Sequence, residues 1–359
     1  MEKLKTPGDA DLSQKNVILR VDFNCPMENG ELLDTFRIDR TIPTVKYLIE
    51  KGARKIVIIS HLGRPDGKYF KDLSLRNVVR YFSDAIKKDG SLGLDVVLLP
   101  YEEDIKKSIA AANEKTRDIV FLENIRFWKE EEEGDDAFAA ELAGLGEVYI
   151  NDAFSACHRA HASISGIPKK LPSFAGLLLA EEVRRISEAI ENPEKPAVAV
   201  VGGAKLETKM PVLKELVKRY DKVLVGGLIA VELQADPQAL AELPTNIIVL
   251  PTGYADNQKR DIDKQTAEIF ADIIKGAKTV LWNGPMGKFE ERPFDYGGRV
   301  IAEAVAQTNG VTVVGGGETI EVLNRCGLFD KMDFVSTGGG AMLEFIAGEK
   351  LPGIEAIKI

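Results

Sequence analysis

Hydrophobic residues along this chain gather in short, unbroken, largely β-branched runs separated by longer stretches with helical spacing. NVILRVDF (16–23), KIVIIS (55–60), DVVLLP (95–100), DIVFLE (118–123) and EVYIND (147–152) read as strands buried on both faces. Such strands lose the polar alternation of a half-exposed sheet. Between them, TIPTVKYLIEKGA (41–53) and AFAAELAGLG (137–146) carry apolar residues at the spacing of a helix that buries one face. The second half repeats the pattern with AVAVVGG (197–203), KVLVGG (222–227), NIIVLP (246–251), KTVLWNG (278–284) and VTVVGGG (311–317). Alternating strand and helix predicts an α/β fold, with a mostly parallel sheet, helices on both faces and right-handed crossovers.

At 359 residues the chain exceeds what one core usually serves, so two domains are expected. Gly and Pro cluster in GIPKKLPSFAG (166–176) and ENPEKPA (191–197), and the helical pattern LLLAEEVRRISEAI (177–190) lies between. This arrangement predicts a first domain over 1–173, a linking helix within 174–195 and a second domain over 196–344. The acidic run Glu130–Glu133 reads as a solvated face or loop.

Composition narrows the partners. Hydrophobic residues make up 45% and charged residues 29%, a globular mixture. Forty-seven basic against 56 acidic residues give a net charge of −9, which argues against nucleic acid or an anionic membrane as the main partner. With no apolar leader and no run of 18 apolar residues, a soluble cytoplasmic protein is expected. Cys25, Cys157 and Cys326 are odd in number and form no CxxC pair, which suits a reducing compartment. The cluster Cys157-His158…His161 lacks a second group of ligands, and this argues against zinc.

The two halves carry different chemistry. In the second, GGAKLETK (202–209), VGGL (225–228), NGPMG (283–287), GGGET (315–319) and TGGGA (337–341) follow strands or open helices. Ligands of open parallel sheets bind beyond the carboxyl ends of strands, where glycines admit a polyphosphate to the backbone and helix N-termini supply free N–H groups. Five such turns point to a nucleotide site, although neither GxxxxGK[ST] nor GxGxxG occurs. Lys205 and Lys209 stand four apart after a glycine pair, where helical spacing would put both on one face toward phosphates. In the first half the strand ends carry Arg20, Asp22, Asn24, His61, Arg64, Arg126, Asp152 and, just beyond, Arg159, while Arg37 lies in a loop or helix start. Any one of these arginines reads as surface; together, in an acidic protein, they suggest a small anion with more than one negative charge.

RVDFNCP (20–26), SHLGRPDG (60–67), LENIRF (122–127), NDAFSACHRAHAS (151–163), GGAKLETK (202–209), WNGPMGKFE (282–290), GGGET (315–319) and VSTGGGAMLE (335–344) resemble, in order, the motifs of the phosphoglycerate kinase family. The resemblance implies two Rossmann-like lobes joined by a helix and hinge, with the tail 345–359, including KLPGIEAI (350–357), returning to the first lobe. It implies a monomer that transfers a phosphoryl group between ATP and the carboxylate of 3-phosphoglycerate in glycolysis or gluconeogenesis, with Mg²⁺ accompanying ATP or ADP. Carried over residue by residue, it assigns the 3-phosphoglycerate site to Arg20, Asp22, Asn24, Arg37, His61, Leu62, Gly63, Arg64, Arg126 and Arg159. Nucleotide contacts fall on Gly202, Lys205, Lys209, Gly226, Pro285, Glu290, Gly315, Gly316, Gly317, Glu318 and Thr319, with Glu290 at the ribose and Glu318 near the metal-bound phosphates. Catalytic roles are implied for Arg37, Lys209, Gly316 and Gly339.

This chain departs from the family pattern at Glu318 and Thr208, where Asp is usual, at Cys25, where Val is usual, and in a shortened stretch 228–262. The implied acceptor is a carboxylate of pKa about 4, already ionised at neutral pH, so no general base is needed. Alignment and charge neutralisation then carry the reaction, with Arg37, Lys209 and the glycine N–H groups as candidates and a hinge closure to join the ligands. Two other readings stay open at this level: a nucleotide-binding scaffold without activity, and a different acyl-phosphate kinase.

Overall fold

The computed structural model describes residues 4–88, 95–116 and 119–358; Asp118, within the strand expected at 118–123, lies outside them. The chain divides into two compact units, one formed by residues 1–182 with 350–359 and the other by Val183–Glu349. The division falls inside the helix Leu177–Glu191.

The N-terminal unit is built on six strands: β1 (Asn16–Arg20), β2 (Lys55–Ile59), β3 (Val96–Leu98), β4 (Ile119–Phe121), β5 (Val148–Asn151) and β6 (Ser173–Ala175). Their order is β3-β4-β2-β1-β5-β6, and every pairing is parallel. Successive residues of β1 enter different cores, Val17 and Leu19 one and Ile18 the other, which is why the run shows no polar alternation. β6 sits within the Pro/Gly-rich stretch that reads as a break in sequence. Its three residues pair with β5 and leave no pattern long enough to detect.

The C-terminal unit holds β7 (Ala197–Val201), β8 (Lys222–Val225), β9 (Ile248–Val249), β10 (Thr279–Asn283), β11 (Val311–Gly315) and β12 (Phe334–Val335). Their order is β9-β8-β7-β10-β11-β12, again all parallel. Counted within the unit this is 3-2-1-4-5-6, the doubly wound order whose switch point lies between its first and fourth strands, β7 and β10. β12, only two residues long, precedes the glycine turn of TGGGA and is not evident from the sequence. Among the described residues no helix is long and apolar enough to cross a membrane.

Candidate active site

In the N-terminal unit the chain leaves β1 on to Asp22, a buried carboxylate. Burial alone would raise its pKa, but Arg37 and hydrogen bonds from Ser155 Oγ and the Asn24 amide hold it well below the usual carboxylate range. Arg37 is the second residue of the helix Phe36–Glu50, which starts earlier than the periodicity suggests because Asp34 accepts the Phe36 amide at 2.7 Å. Its Nη1 lies 3.2 Å from Asp22 Oδ2 and donates to the Asn24 carbonyl at 2.9 Å. Asn24 Oδ1 in turn accepts the Gly63 amide at 2.9 Å, tying the loop after β1 to the loop after β2.

His61 follows β2 and is buried, with Nε2 3.8 Å from Asp22 Oδ1. Burial pushes its pKa well below the ordinary value, and although Asp22 opposes this, Arg20, Arg126 and Arg37 add to it. His161 is pushed down to about 3 by burial and by Arg126, Arg20 and Arg159, and burial and Arg159 lower His158 as well. Each of the three histidines is therefore held neutral, in part by surrounding arginines. A place that suppresses protonation of imidazole carries the positive potential an anion needs.

Arg126 is buried; its Nη1 donates to the Gly63 carbonyl at 2.7 Å and its Nε faces Glu132 Oε1 at 3.2 Å. Arg159 is half-buried and Arg64 exposed, and Leu62 is buried with its amide donating to Asn124 Oδ1 at 3.2 Å. Arg20 is enclosed, and each of its three guanidinium nitrogens has a protein partner.

Several contributors escape a sequence reading. Glu131 is completely buried and accepts from the Ser163 amide at 2.8 Å and the Ser163 hydroxyl at 2.5 Å. Glu132 faces Arg126, so the acidic run expected to be solvated supplies two carboxylates to this site. Nothing local announces this, since the partners are Ser163, 32 residues downstream of Glu131, and Arg126, which faces Glu132 from six residues upstream. Asn124 is also buried; its side chain accepts the Leu62 and Arg126 amides and donates to the Leu62 and Leu73 carbonyls, so it fixes the loop that carries Gly63. Only its place just after the apolar run, in LENIRF, signals it.

In the C-terminal unit the strands β7, β8, β10 and β11 each run into a glycine turn. The turns after β7 and β10 interlock through main chain: the Gly202 amide donates to Asn283 O at 2.9 Å and the Gly203 amide to Pro285 O at 3.2 Å. A Cβ on Gly202 would lie 2.7 Å from Gly284 O and closer still to Pro285 O. Gly226 and Gly227 follow β8, and the Gly227 amide donates to Met286 O at 2.9 Å. Gly315 ends β11 against Met342, and Gly316 turns the chain with φ of +99° into the helix Gly317–Cys326. A Cβ on Gly317 would meet nothing within 4 Å, and the same is true at Gly339, which caps the short helix Gly340–Ile346.

A pocket of about 240 Å³ opens over these turns, lined by Gly203, Gly227, Lys259, Pro285, Glu290 and Glu318 among others. Lys209, in the helix that follows the first of these turns, is buried, and its Nζ donates to Asn283 Oδ1 at 2.6 Å. Burial pushes its pKa down to about 8, against the pull of Glu318. Lys205 is exposed and extended, one residue ahead of the helix Leu206–Leu216, so the helical spacing expected for the two lysines does not hold. Thr319 is buried, with its hydroxyl accepting the Gly284 amide at 2.7 Å, whereas Glu290 and Glu318 are exposed. Among the described residues no group of three or more His, Cys, Asp or Glu side chains could hold a metal ion.

The family model for phosphoglycerate kinase matches residues 8–241 and 244–349, and its break falls inside the stretch 228–262. A phosphoglycerate kinase of Moorella thermoacetica is 37% identical over 99% of both chains. One of Dictyoglomus turgidum is 39% identical over 98% of this chain and 97% of its own. Among solved structures, phosphoglycerate kinase from Coxiella burnetii superposes with a TM-score of 0.81 at 32% identity over 99% of both chains. That from Pyrococcus horikoshii gives a TM-score of 0.84 at 29% identity, covering 99% of this chain and 98% of the other.

Proposed function

This chain belongs to the phosphoglycerate kinase family, and from that premise we propose that its N-terminal unit binds the acceptor and its C-terminal unit the nucleotide. The reaction is reversible phosphoryl transfer, 1,3-bisphosphoglycerate and ADP giving 3-phosphoglycerate and ATP. One observation carries the assignment of the acceptor: the buried Arg20 and Arg126, with Arg37 and Arg159, gather around three histidines and add to the burial that already disfavours their protonation. A dianionic phosphate and a carboxylate on one small molecule match that potential, and guanidinium forks match their oxygens.

The acceptor carboxylate is ionised without help, so the neutral His61 serves as a hydrogen-bond donor rather than a base. Arg37, braced by Asp22 and the Asn24 carbonyl, is the candidate for the transferring group's developing charge. On the nucleotide side, Lys209 and the amides at Gly316–Thr319 meet the phosphates, and Glu290 meets the ribose. The donor set fits Mg²⁺ that arrives with the nucleotide, because the exposed carboxylates at the pocket are only Glu290 and Glu318, and among the described residues no group of three or more acidic, His or Cys side chains forms a cage. When bound, the ion neutralises phosphate charge. Transfer further calls for a closure that brings the two ligands into line and excludes water.

A coupled assay with 3-phosphoglycerate, ATP and Mg²⁺ tests the reading. Turnover that needs all three supports it. ATP binding without turnover would favour the inactive scaffold, and turnover with acetate but not 3-phosphoglycerate would favour another acyl-phosphate kinase.

A further inference from the structure

Arg20 ends β1 and is only 1% exposed. Its Nε donates to Ser163 Oγ at 2.7 Å, its Nη1 to the Val21 carbonyl, and its Nη2 lies 3.2 Å from His61 Nδ1. A guanidinium has donors and no acceptor, and it stays protonated in proteins. The atom facing Nη2 must therefore present a lone pair, so His61 Nδ1 carries no proton. In a neutral imidazole the single proton is then on Nε2, the nitrogen on the Asp22 side of the ring.

We infer that Arg20 is a positioning residue that fixes His61 as the Nε2–H tautomer, so that the imidazole offers the acceptor anion an uncharged donor. The opposite tautomer would aim a lone pair at an anionic oxygen and repel it. Arg20 itself is kept in place from behind. Ser163 Oγ accepts from Arg20 and donates to Glu131, whose Oε1 lies 4.0 Å from Arg20 Nη2. A buried relay thus runs from Glu131 through Ser163 and Arg20 to His61, whose Nε2 stands 3.8 Å from Asp22 Oδ1, beyond hydrogen-bond distance. Arg20 contributes to acceptor binding through His61 rather than by contact, which revises the role the family resemblance implies for it. Burial and the neighbouring arginines keep the ring neutral, as the tautomer requires.

The inference rests on reading this unit as the acceptor site, and the experiment separates the two. In the full chain labelled with ¹⁵N-histidine, long-range ¹H–¹⁵N correlation at neutral pH reports which ring nitrogens are protonated, and His158→Gln and His161→Gln assign the other two rings. The expected His61 pattern is a protonated Nε2 and a bare Nδ1; a protonated Nδ1, alone or in an imidazolium, overturns the proposal without any change to Arg20. Addition of 3-phosphoglycerate should move the His61 signals. The expected tautomer with no response to 3-phosphoglycerate would support the lock and overturn the acceptor-site reading. Arg20→Gln can accept from Nδ1–H and should mix the tautomers. In that variant the KM for 3-phosphoglycerate should rise about tenfold, with kcat within about twofold and the nucleotide KM unchanged. A folded Arg20→Gln with an unmixed tautomer and an unchanged acceptor KM overturns the proposal.

Discussion

The two units present different chemistry beyond the ends of similar parallel sheets. In the N-terminal unit the groups at the site are side chains, Arg37, His61 and Arg126, each braced by a second side chain or a carbonyl. In the C-terminal unit the site is built on glycine turns, three of them interlocked through amides and carbonyls, with a buried cation, Lys209, bonded to Asn283 at the end of β10. Guanidinium forks select a particular arrangement of oxygens, whereas backbone N–H groups accept any phosphate chain that follows their curve. The contrast suits an acceptor that must be distinguished from other small acids and a donor recognised chiefly by its phosphates. It also means that the two sites fail differently, one by loss of charge and the other by addition of bulk.

Removing charge from the N-terminal unit should have the largest effect. Arg37→Ala is expected to lower kcat by about 10²–10³-fold while leaving calorimetric ATP affinity within about twofold, since the guanidinium acts on charge that develops in the transition state. Asp22 would then also lose its ion-pair partner. Comparable turnover in the variant would remove Arg37 from the mechanism.

Adding a methyl group should be the most damaging minimal change in the C-terminal unit. Gly202→Ala drives a Cβ into the carbonyls of Pro285 and Gly284 and should cost about 1–3 kcal/mol of stability, with a weaker nucleotide site. Gly317→Ala meets no atom within 4 Å and should melt with the wild type. If it nevertheless weakens ATP binding, the space at Gly317 belongs to the ligand. Equal thermal denaturation of the two alanine variants would break the contrast between the units.

Much of this architecture is legible in the chain. Each of the ten hydrophobic runs contains a strand, because strands buried on both faces leave unbroken apolar segments. Ser173–Ala175 and Phe334–Val335 are too short to do so, and their pairing is decided by neighbours already in place. Arginines and glycines at strand ends mark the two candidate sites, since parallel topology brings all carboxyl ends to one edge. Glu131 is invisible locally: as one Glu in a row of four, it differs from its neighbours only in facing Arg20 and Ser163. Lys205 misleads for a related reason, because spacing of four means a shared face only if both residues lie inside the helix.

Lys209 offers a smaller test of the buried ammonium bonded to Asn283 among the glycine turns. Its pKa of about 8 lies below the ordinary 10.5, so the ammonium is lost as pH rises through about 8. Nucleotide affinity should fall across that range in the wild type, and Lys209→Ala should bind more weakly with no such fall. By linkage, the unfolded chain holds the proton up to about 10.5, so the burial cost eases and stability from this group rises between the two values. A flat binding profile from pH 7 to 9 in the wild type would mean that the main-chain amides alone hold the phosphates.

The smallest effect is expected at Glu318, where the acidic residue could serve either ligand or helix. It occupies the first turn of the helix Gly317–Cys326, where a carboxylate is favourable at the positive end of the helix dipole. It also lines the pocket and raises the pKa of Lys209, which places it within electrostatic reach of that ammonium. A helix-end role depends on charge alone and makes no demand on nucleotide or metal. A metal role depends on both charge and position, and Mg²⁺ asks for near-octahedral oxygens at roughly 2.0–2.1 Å, often with its waters retained. Glu318 is exposed and follows a turn with no atom packed on Gly317, so its longer side chain has room to adjust and would serve a metal either directly or through one of its waters. Glu318→Gln should therefore raise the Mg·ATP requirement a few-fold and lower turnover, whereas Glu318→Asp should stay active. Under the helix-end reading the Gln variant would lose a little thermal stability instead, and its Mg²⁺ titration would overlay that of the wild type.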